Sequence, residues 1–107
     1  MSRTFIQLFL TCASTEEADK ISTTLLDKRL IACAKATPVN STFHWEGKID
    51  HASEILLIMD SASDLFDEID REIRNLHSYD TINLQAATSS YLSQQTQEWL
   101  NENLKNA

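Results

Sequence analysis

The sequence is poor in the residues that build loops around phosphates and cofactors. It has one glycine, Gly47, and one proline, Pro38, in 107 residues. A dinucleotide-binding loop or a phosphate-binding loop needs several glycines, and the chain has no nucleophile elbow and no HExxH zinc motif. These absences exclude the common nucleotide-binding loops and leave little support for an enzyme, so we expect no catalytic activity and no organic cofactor.

Cysteine, clustered basic residues and long apolar runs are also scarce. Cys12 and Cys33 are too few for a disulfide framework and match no zinc-binding spacing, so a reducing cytoplasm is the simplest compartment. The formal net charge is -7 and no Lys/Arg cluster stands out, which argues against nucleic acid as a partner. The acidic balance suits metal cations or a basic partner, although it is also the ordinary state of a soluble cytoplasmic protein. No apolar run approaches the ~20 residues of a membrane span.

The N-terminal segment MSRTFIQLFLTCAS combines an arginine with a short apolar run, as a signal sequence does. The run is interrupted by Gln7, and the alternation of Ile6, Leu8 and Leu10 is typical of a strand. We therefore expect an unprocessed chain that forms one domain over residues 1–107.

Hydrophobic periodicity predicts an α+β fold. The first helix should open with a capping box formed by Ser14 and Glu17, and a proline-containing break should interrupt the second strand at Thr37–Asn40. The resulting order is β-α-β-β-α-β with an extra C-terminal helix, a ferredoxin-like antiparallel sheet with helices on one face. The predicted strands cover residues 4–12, 31–36 resumed at 41–46, 53–60 and 81–88, and the predicted helices cover 14–29, 61–76 and 93–104.

The middle of the chain predicts a long hairpin. Gly47 can take a positive φ without steric cost, so we expect the chain to reverse there, in a hairpin over about residues 41–60. Residues 55–59 are apolar in both side-chain directions, whereas a helix layer covers only one face of a sheet. The uncovered apolar surface, with Phe43 and Trp45 on the hairpin, predicts a closed oligomer. The alternative is that the C-terminal helix covers the second face.

Three segments together resemble the CutA divalent-cation-tolerance family. They are KRLIACAKATPVNSTFHWEGKI, SEILLIMD and IRNLHSYD, and Trp99 stands where the family has a tryptophan in its C-terminal helix. The resemblance covers nearly the whole chain. It implies a compact homotrimer, similar to that of the PII signalling proteins, in which long hairpins wrap neighbouring subunits. Phe43, Trp45 and Trp99 are the predicted interface residues.

The resemblance also implies a cytoplasmic protein for tolerance of copper and other divalent cations. Imidazole, thiolate and carboxylate groups bind Cu(II) and Zn(II), so the matched positions His77, Cys33 and Glu54 are predicted to bind such an ion weakly. They have no metal-ligand spacing, and the fold or the subunit contacts must bring them together. The alternatives are that His77 caps a helix, that Cys33 is a small buried apolar residue and that Glu54 is a paired buried carboxylate.

Several positions depart from the family pattern. Asp60 replaces a lysine, Ser78 replaces a proline, and Ile82-Asn83 replace proline-glutamate. The resemblance puts these positions in the part of the pattern that lines a cleft. Two alternatives therefore stay open: a PII-like signalling module that binds a small ligand in clefts between subunits, and a structural trimer that has lost its ligand site.

Overall fold

The computed structural model describes residues 3–107 as a four-stranded antiparallel sheet with three helices. The predicted α+β class is confirmed. Within these residues no helix combines the length and the apolar character needed to cross a membrane. The strand order across the sheet is β2-β3-β1-β4. In chain order the elements are β1 (Phe5–Cys12), α1 (Thr15–Asp27), β2 (Cys33–Trp45), β3 (Lys48–Ala62), a 3-10 turn (Ser63–Leu65), α2 (Phe66–Leu76), β4 (Leu84–Thr88) and α3 (Gln94–Asn103).

The hydrophobic core lies between the two central strands and the helices. Alternate residues of β1 are fully buried at Leu8, Leu10 and Cys12, as the period of a strand requires. Leu57 and Met59 of β3 are their neighbours across the ladder. The helices contribute the buried side chains of Ala18, Ile21, Leu25, Ile69, Ile73 and Leu100.

Helix α1 begins as the sequence predicts. The Ser14 hydroxyl accepts a hydrogen bond from the backbone N–H of Glu17 at 3.1 Å, and the Glu17 carboxylate turns back to the backbone N–H of Ala13 at 3.3 Å. The helix ends at Asp27, earlier than the predicted residue 29, because Arg29 adopts a positive φ of 57°. The capping box therefore directs the Glu17 side chain toward the end of β1.

The central hairpin is longer than predicted, and the predicted break at Thr37–Asn40 is wrong. Pro38 pairs with Ile55 inside an uninterrupted β2–β3 ladder. The reason is that β2 is an edge strand, where a residue without an N–H group need not break the sheet. The two-residue turn has positive φ at both Glu46 and Gly47, 50° and 76°, which confirms the predicted reversal.

Two other boundaries differ from the prediction. β3 continues to Ala62, where residues 61–76 were expected to be helical, because Ala62 still pairs with Phe5 of β1. The 3-10 turn then leads into α2 at Phe66. Strand β4 begins at Leu84, later than the predicted residue 81, because its pairing with β1 starts there.

Candidate metal centre

His77 lies at the C-terminal end of α2, and its imidazole side chain is fully buried. The ring nitrogen Nε2 is 2.8 Å from the carbonyl oxygen of Thr11. A carbonyl oxygen can only accept, so Nε2 carries a proton and donates it. The backbone N–H of Tyr79 donates to Nδ1 at 3.1 Å. The ring is therefore oriented from both sides, with Nδ1 as its acceptor atom.

Glu17 of α1 faces the same imidazole. Its Oε1 atom is 3.3 Å from Nδ1 of His77, and its Oε2 atom accepts the backbone N–H of Ser78 at 3.2 Å. Burial disfavours ionisation of this carboxyl, but the hydrogen bonds from Ser78 and Ala13 outweigh it and lower its pKa below the ordinary 4.5. Glu17 is therefore a fixed negative charge beside His77 at neutral pH.

Cys12 completes a group of three ligand-type side chains. It ends β1 with no exposed surface, and one ligand atom from each of Cys12, Glu17 and His77 lies within 4.8 Å of the others. Burial, followed by the carboxylates of Glu17 and Glu54, raises the pKa of the Cys12 thiol to about 12. The free protein therefore holds a neutral thiol there, and a bound cation would favour the thiolate.

Glu54 adjoins this group through Tyr79. The Tyr79 hydroxyl donates to Oε2 of Glu54 at 2.7 Å, and the Tyr79 ring centroid is 4.7 Å from that of His77. Burial, then the hydrogen bond and the negative charge of Glu54, raises the pKa of Tyr79, which keeps the hydroxyl protonated as a donor. Glu54 is thus a paired buried carboxylate, and its role as a metal ligand stays a prediction.

Cys33 lies in a different environment. It pairs with Asp60 across the β2–β3 ladder, and the Lys35 ammonium is 3.6 Å from its sulfur and 3.5 Å from the Asp60 carboxylate. Cys12 pairs with Ile55 of β3, which is five residues from Asp60, the partner of Cys33. The two cysteines are therefore separated by about 17 Å along the strand direction. Cys33 therefore cannot share an ion with His77 of the same subunit.

The structure thus brings together a different set of residues from the predicted one. Of the predicted ligands His77, Cys33 and Glu54, only His77 belongs to the three-residue group found in residues 3–107. Glu17 is predicted from sequence as a capping residue alone, and Cys12 has no predicted role. The sequence signal that could have indicated Cys12 is the alternation of apolar residues along β1, which puts Cys12 on the helix-facing side of the strand.

The three predicted interface residues all expose apolar surface. Phe43 and Trp45 lie near the tip of the hairpin and are 37% and 45% exposed, and Ile49 beside them is 66% exposed. Trp99 of α3 is 42% exposed. Their contact with a second subunit stays a prediction.

Comparison with known proteins identifies relatives over almost the whole chain. The family model described as CutA1 divalent ion tolerance protein matches residues 6–103. The divalent-cation tolerance protein CutA of Pyrococcus horikoshii is 34% identical over 105 residues, which cover 94% of this chain and 98% of that protein. The protein of the same name from Archaeoglobus fulgidus is 42% identical over 74 residues, which cover 69% of this chain and 72% of that protein.

Solved structures agree with these matches. The Archaeoglobus fulgidus structure, described as a periplasmic divalent cation tolerance protein CutA, superposes with a TM-score of 0.92 at 34% identity, over 94% of this chain and 99% of that chain. CutA1 from Pyrococcus horikoshii superposes with a TM-score of 0.90 at 32% identity, over 94% and 99% of the two chains. These relatives are named for cation tolerance and not for an enzymatic activity. The chain belongs to the CutA divalent-cation tolerance family.

Proposed function

We propose that this protein binds divalent transition-metal ions, Cu(II) or Zn(II), as a cytoplasmic homotrimer of ferredoxin-like subunits. The observation that carries the proposal is the setting of His77. Its Nε2–H donates to the Thr11 carbonyl, and its Nδ1 faces the Glu17 carboxylate. An imidazole oriented by a backbone carbonyl through one nitrogen is the usual arrangement of a metal-binding histidine.

The electrostatics of the site favour a cation but predict weak binding. The ionised Glu17 and the net charge of -7 attract positive ions. However, Nδ1 of His77 already accepts the N–H of Tyr79, and Cys12 holds a proton. The Tyr79 N–H must leave Nδ1, and the proton must leave the Cys12 sulfur, before these atoms can bind an ion. The free energy that these two steps cost lowers the affinity for the ion.

The exposed aromatic side chains support the trimer. Phe43 and Trp45 expose apolar surface on one face of a hairpin that extends beyond the rest of the sheet, and Ile49, which pairs with His44, exposes apolar surface on the other face. Aromatic residues are enriched in the cores of protein interfaces, and homo-oligomers are most often closed and symmetric. Native mass spectrometry should find three subunits, and a monomer would contradict this part of the proposal.

The cytoplasm is proposed because Cys12 and Cys33 are both free thiols. A thiol beside a metal ligand stays available where thiols are kept reduced. The structural relative from Archaeoglobus fulgidus is described as periplasmic, so cell fractionation is the direct test. Recovery of the native protein from the periplasm would overturn this assignment.

Titration calorimetry with Cu(II) and Zn(II) tests the metal proposal. His77→Ala should weaken binding at least about tenfold, the effect expected when the oriented imidazole is lost. His77→Gln keeps a donor for the Thr11 carbonyl and serves as a second variant if the alanine variant does not fold. His44→Ala is the matched control, because His44 is exposed on the hairpin.

Unchanged affinity in both His77 variants would overturn the site assignment. No binding of either metal to the wild-type protein would overturn the metal-binding function itself. An organic molecule that copurifies with a metal-free trimer would instead support the signalling alternative.

A further inference from the structure

We infer that helix α3 is a hinged lid, held closed at its C-terminal end by a clasp of charged side chains and able to open while the rest of the subunit stays folded. The inference goes beyond the proposed function and does not depend on metal binding. The clasp is made by the side chains of Arg3, Arg29, Asp64, Glu68 and Lys105.

Helix α3 is held to the fold by little apolar burial. Leu100 is the one buried residue among its ten, and Leu104, just after the helix, is also buried. Helix α1, by comparison, buries Ala18, Ile21 and Leu25. Burial of an apolar face is what chiefly holds a surface helix in place, and elements with little of it open before the rest of a protein. Helix α3 therefore depends on other contacts to stay in place.

A cleft lies between α3 and the sheet. Its volume is about 230 Å³, and its walls include Gln7 and Asp60 of the sheet and Trp99 of the helix. A closely packed interface would fill such a space with side chains. The middle of the helix is therefore loosely seated on the sheet.

The segment before α3 provides the hinge. The backbone N–H of Ser89 still donates to the carbonyl of Phe5 on β1, at 2.9 Å. Tyr91, two residues later, is 97% exposed. The N-terminal cap of the helix is local, because the Ser93 hydroxyl accepts the backbone N–H of Thr96. The chain around Tyr91 can therefore bend without breaking the cap.

Lys105 joins the end of α3 to other parts of the chain. Its backbone N–H donates to the carbonyl of Arg29 at 2.9 Å, and its own carbonyl accepts from the Arg3 guanidinium at 2.9 Å. Its ammonium donates to both carboxylate oxygens of Glu68, at 2.9 and 3.1 Å. Arg3 in turn makes a bidentate ion pair with Asp64. Both ion pairs are partly exposed, so salt weakens them.

Arg29 occupies a position where glycine is the usual residue. The backbone N–H of Leu30 donates to the carbonyl of Leu25, and that of Arg29 donates to Leu26, which is the helix-ending motif that needs a left-handed residue after the cap. Arg29 has this conformation, with φ of 57°. A residue with a Cβ atom is strained there, whereas glycine is not. The arginine therefore strains the turn, and what it contributes lies in its side chain.

The Arg29 side chain caps α3. Its Nε atom donates to the carbonyl of Asn103 at 3.3 Å, and its Nη2 atom donates to the carbonyl of Glu102. Carbonyls at the end of a helix lack partners within the helix, and a cation there interacts favourably with the helix dipole. The last turn of α3 itself, within Gln94–Asn103, has no basic residue. The end of α1 therefore supplies the cation that the end of α3 lacks.

Hydrogen exchange of the intact protein, measured by mass spectrometry, tests the inference. The amides of α3 should be protected, yet exchange at least about tenfold faster than those of β1 and with a weaker dependence on urea, because they open locally. Raising sodium chloride from about 0.1 M to about 1 M shortens the Debye length from about 10 Å to about 3 Å and should speed the exchange of α3 further.

Two variants open the clasp from its two sides. Arg29→Ala removes the cation that caps α3 and should speed exchange there about tenfold, and Lys105→Met removes the ion pair with Glu68 and should speed it about threefold. Lys28→Gln is the matched control. Its ion pair with Glu72 joins α1 to α2 and does not break when the lid opens, so exchange in α3 should not change.

Arg29→Gly distinguishes the clasp from the backbone strain. Glycine removes the same guanidinium but adopts the left-handed φ freely. Helix α3 should therefore exchange as fast as in Arg29→Ala, while the glycine variant resists urea better than the alanine variant. Exchange of α3 at the wild-type rate in Arg29→Gly would mean that the guanidinium does not hold the helix, and would overturn the clasp.

Two further outcomes would overturn the inference. Exchange of α3 at the rate of β1, with the same dependence on urea, would mean that the helix unfolds only with the whole protein and is not a lid. Exchange of α3 that neither salt nor Lys105→Met alters would mean that no ionic clasp holds it. Circular dichroism confirms that each variant is folded, and none of these outcomes bears on metal binding at His77.

Discussion

The helix-covered end of the sheet around Cys12 and the edge around Cys33 place the same side chain in opposite surroundings. Cys12 is fully buried beside carboxylates, and its pKa is raised to about 12. Cys33 is partly exposed beside Lys35, whose own pKa is raised, chiefly by Asp60 and then by Cys33. Burial suppresses the thiolate form and keeps reagents away, whereas an exposed thiol is accessible to them. The environment, and not the residue type, therefore decides how reactive each thiol is.

Thiol labelling should give the largest difference between the two ends. At neutral pH the thiolate fraction of Cys12 is about a thousandfold lower than that of a thiol with the ordinary pKa of 9.0. In the Cys33→Ser variant, Ellman's reagent should therefore find no fast thiol until urea unfolds the chain. In the Cys12→Ser variant, Cys33 should react at once.

Equal labelling rates in the two folded variants would show that Cys12 and Cys33 do not differ in their protection. If Cys33 is protected only in the assembled oligomer, its side of the sheet belongs to the subunit interface, and the difference in burial at Cys12 still stands.

The hydrogen bond between Tyr79 and Glu54 should give the next largest effect. Tyr79→Phe removes the donor and leaves a carboxylate that is 9% exposed without this partner, which should lower the free energy of unfolding by about 1–3 kcal/mol. Urea denaturation measures the change. Tyr91→Phe is the control, because Tyr91 is 97% exposed and its hydroxyl is in solvent. Equal stability of the two variants would mean that Glu54 is solvated in solution.

The pH dependence of stability should give the smallest effect. The folded-state pKa of Glu17 is lowered, so its ionised form stabilises the fold above its unfolded pKa of about 4.5, and that contribution disappears as the pH falls through the folded-state pKa. Glu17→Gln should therefore be less stable than the wild type at pH 7, with a difference that shrinks in acid. Glu16→Gln should show no such convergence. A difference independent of pH would assign the effect of Glu17 to shape alone.

Local signals predicted much of the fold. The capping box at Ser14, the turn at Gly47 and the buried face of α1 each depend on residues close together in the chain, and all three are present. The predicted break at Pro38 fails because tolerance of proline depends on β2 lying at the edge of the sheet. No local pattern encodes that position.

The candidate site could be predicted only in part for the same reason. His77 was identifiable from the family pattern, but Cys12, Glu17 and His77 have no characteristic spacing. They meet because β1 is a central strand whose end lies under the start of α1 and the end of α2. Sequence reasoning also did not identify Cys12 as the cysteine beside His77, since the separation of Cys12 and Cys33 follows from strand register.

The Tyr79–Glu54 hydrogen bond has a mechanical consequence. Beyond the Cys12–Ile55 pair, residues 48–54 of β3 pair with β2 alone. This part of the hairpin therefore extends past β1 as a two-stranded arm, seven residues and roughly 20 Å long. Glu54 lies at the base of this arm. If the arm tilted there by roughly 5°, the Glu46-Gly47 turn would move by almost 2 Å, given that length. Loss of the Tyr79–Glu54 hydrogen bond would therefore act at the base of an arm that carries Trp45 at its far end.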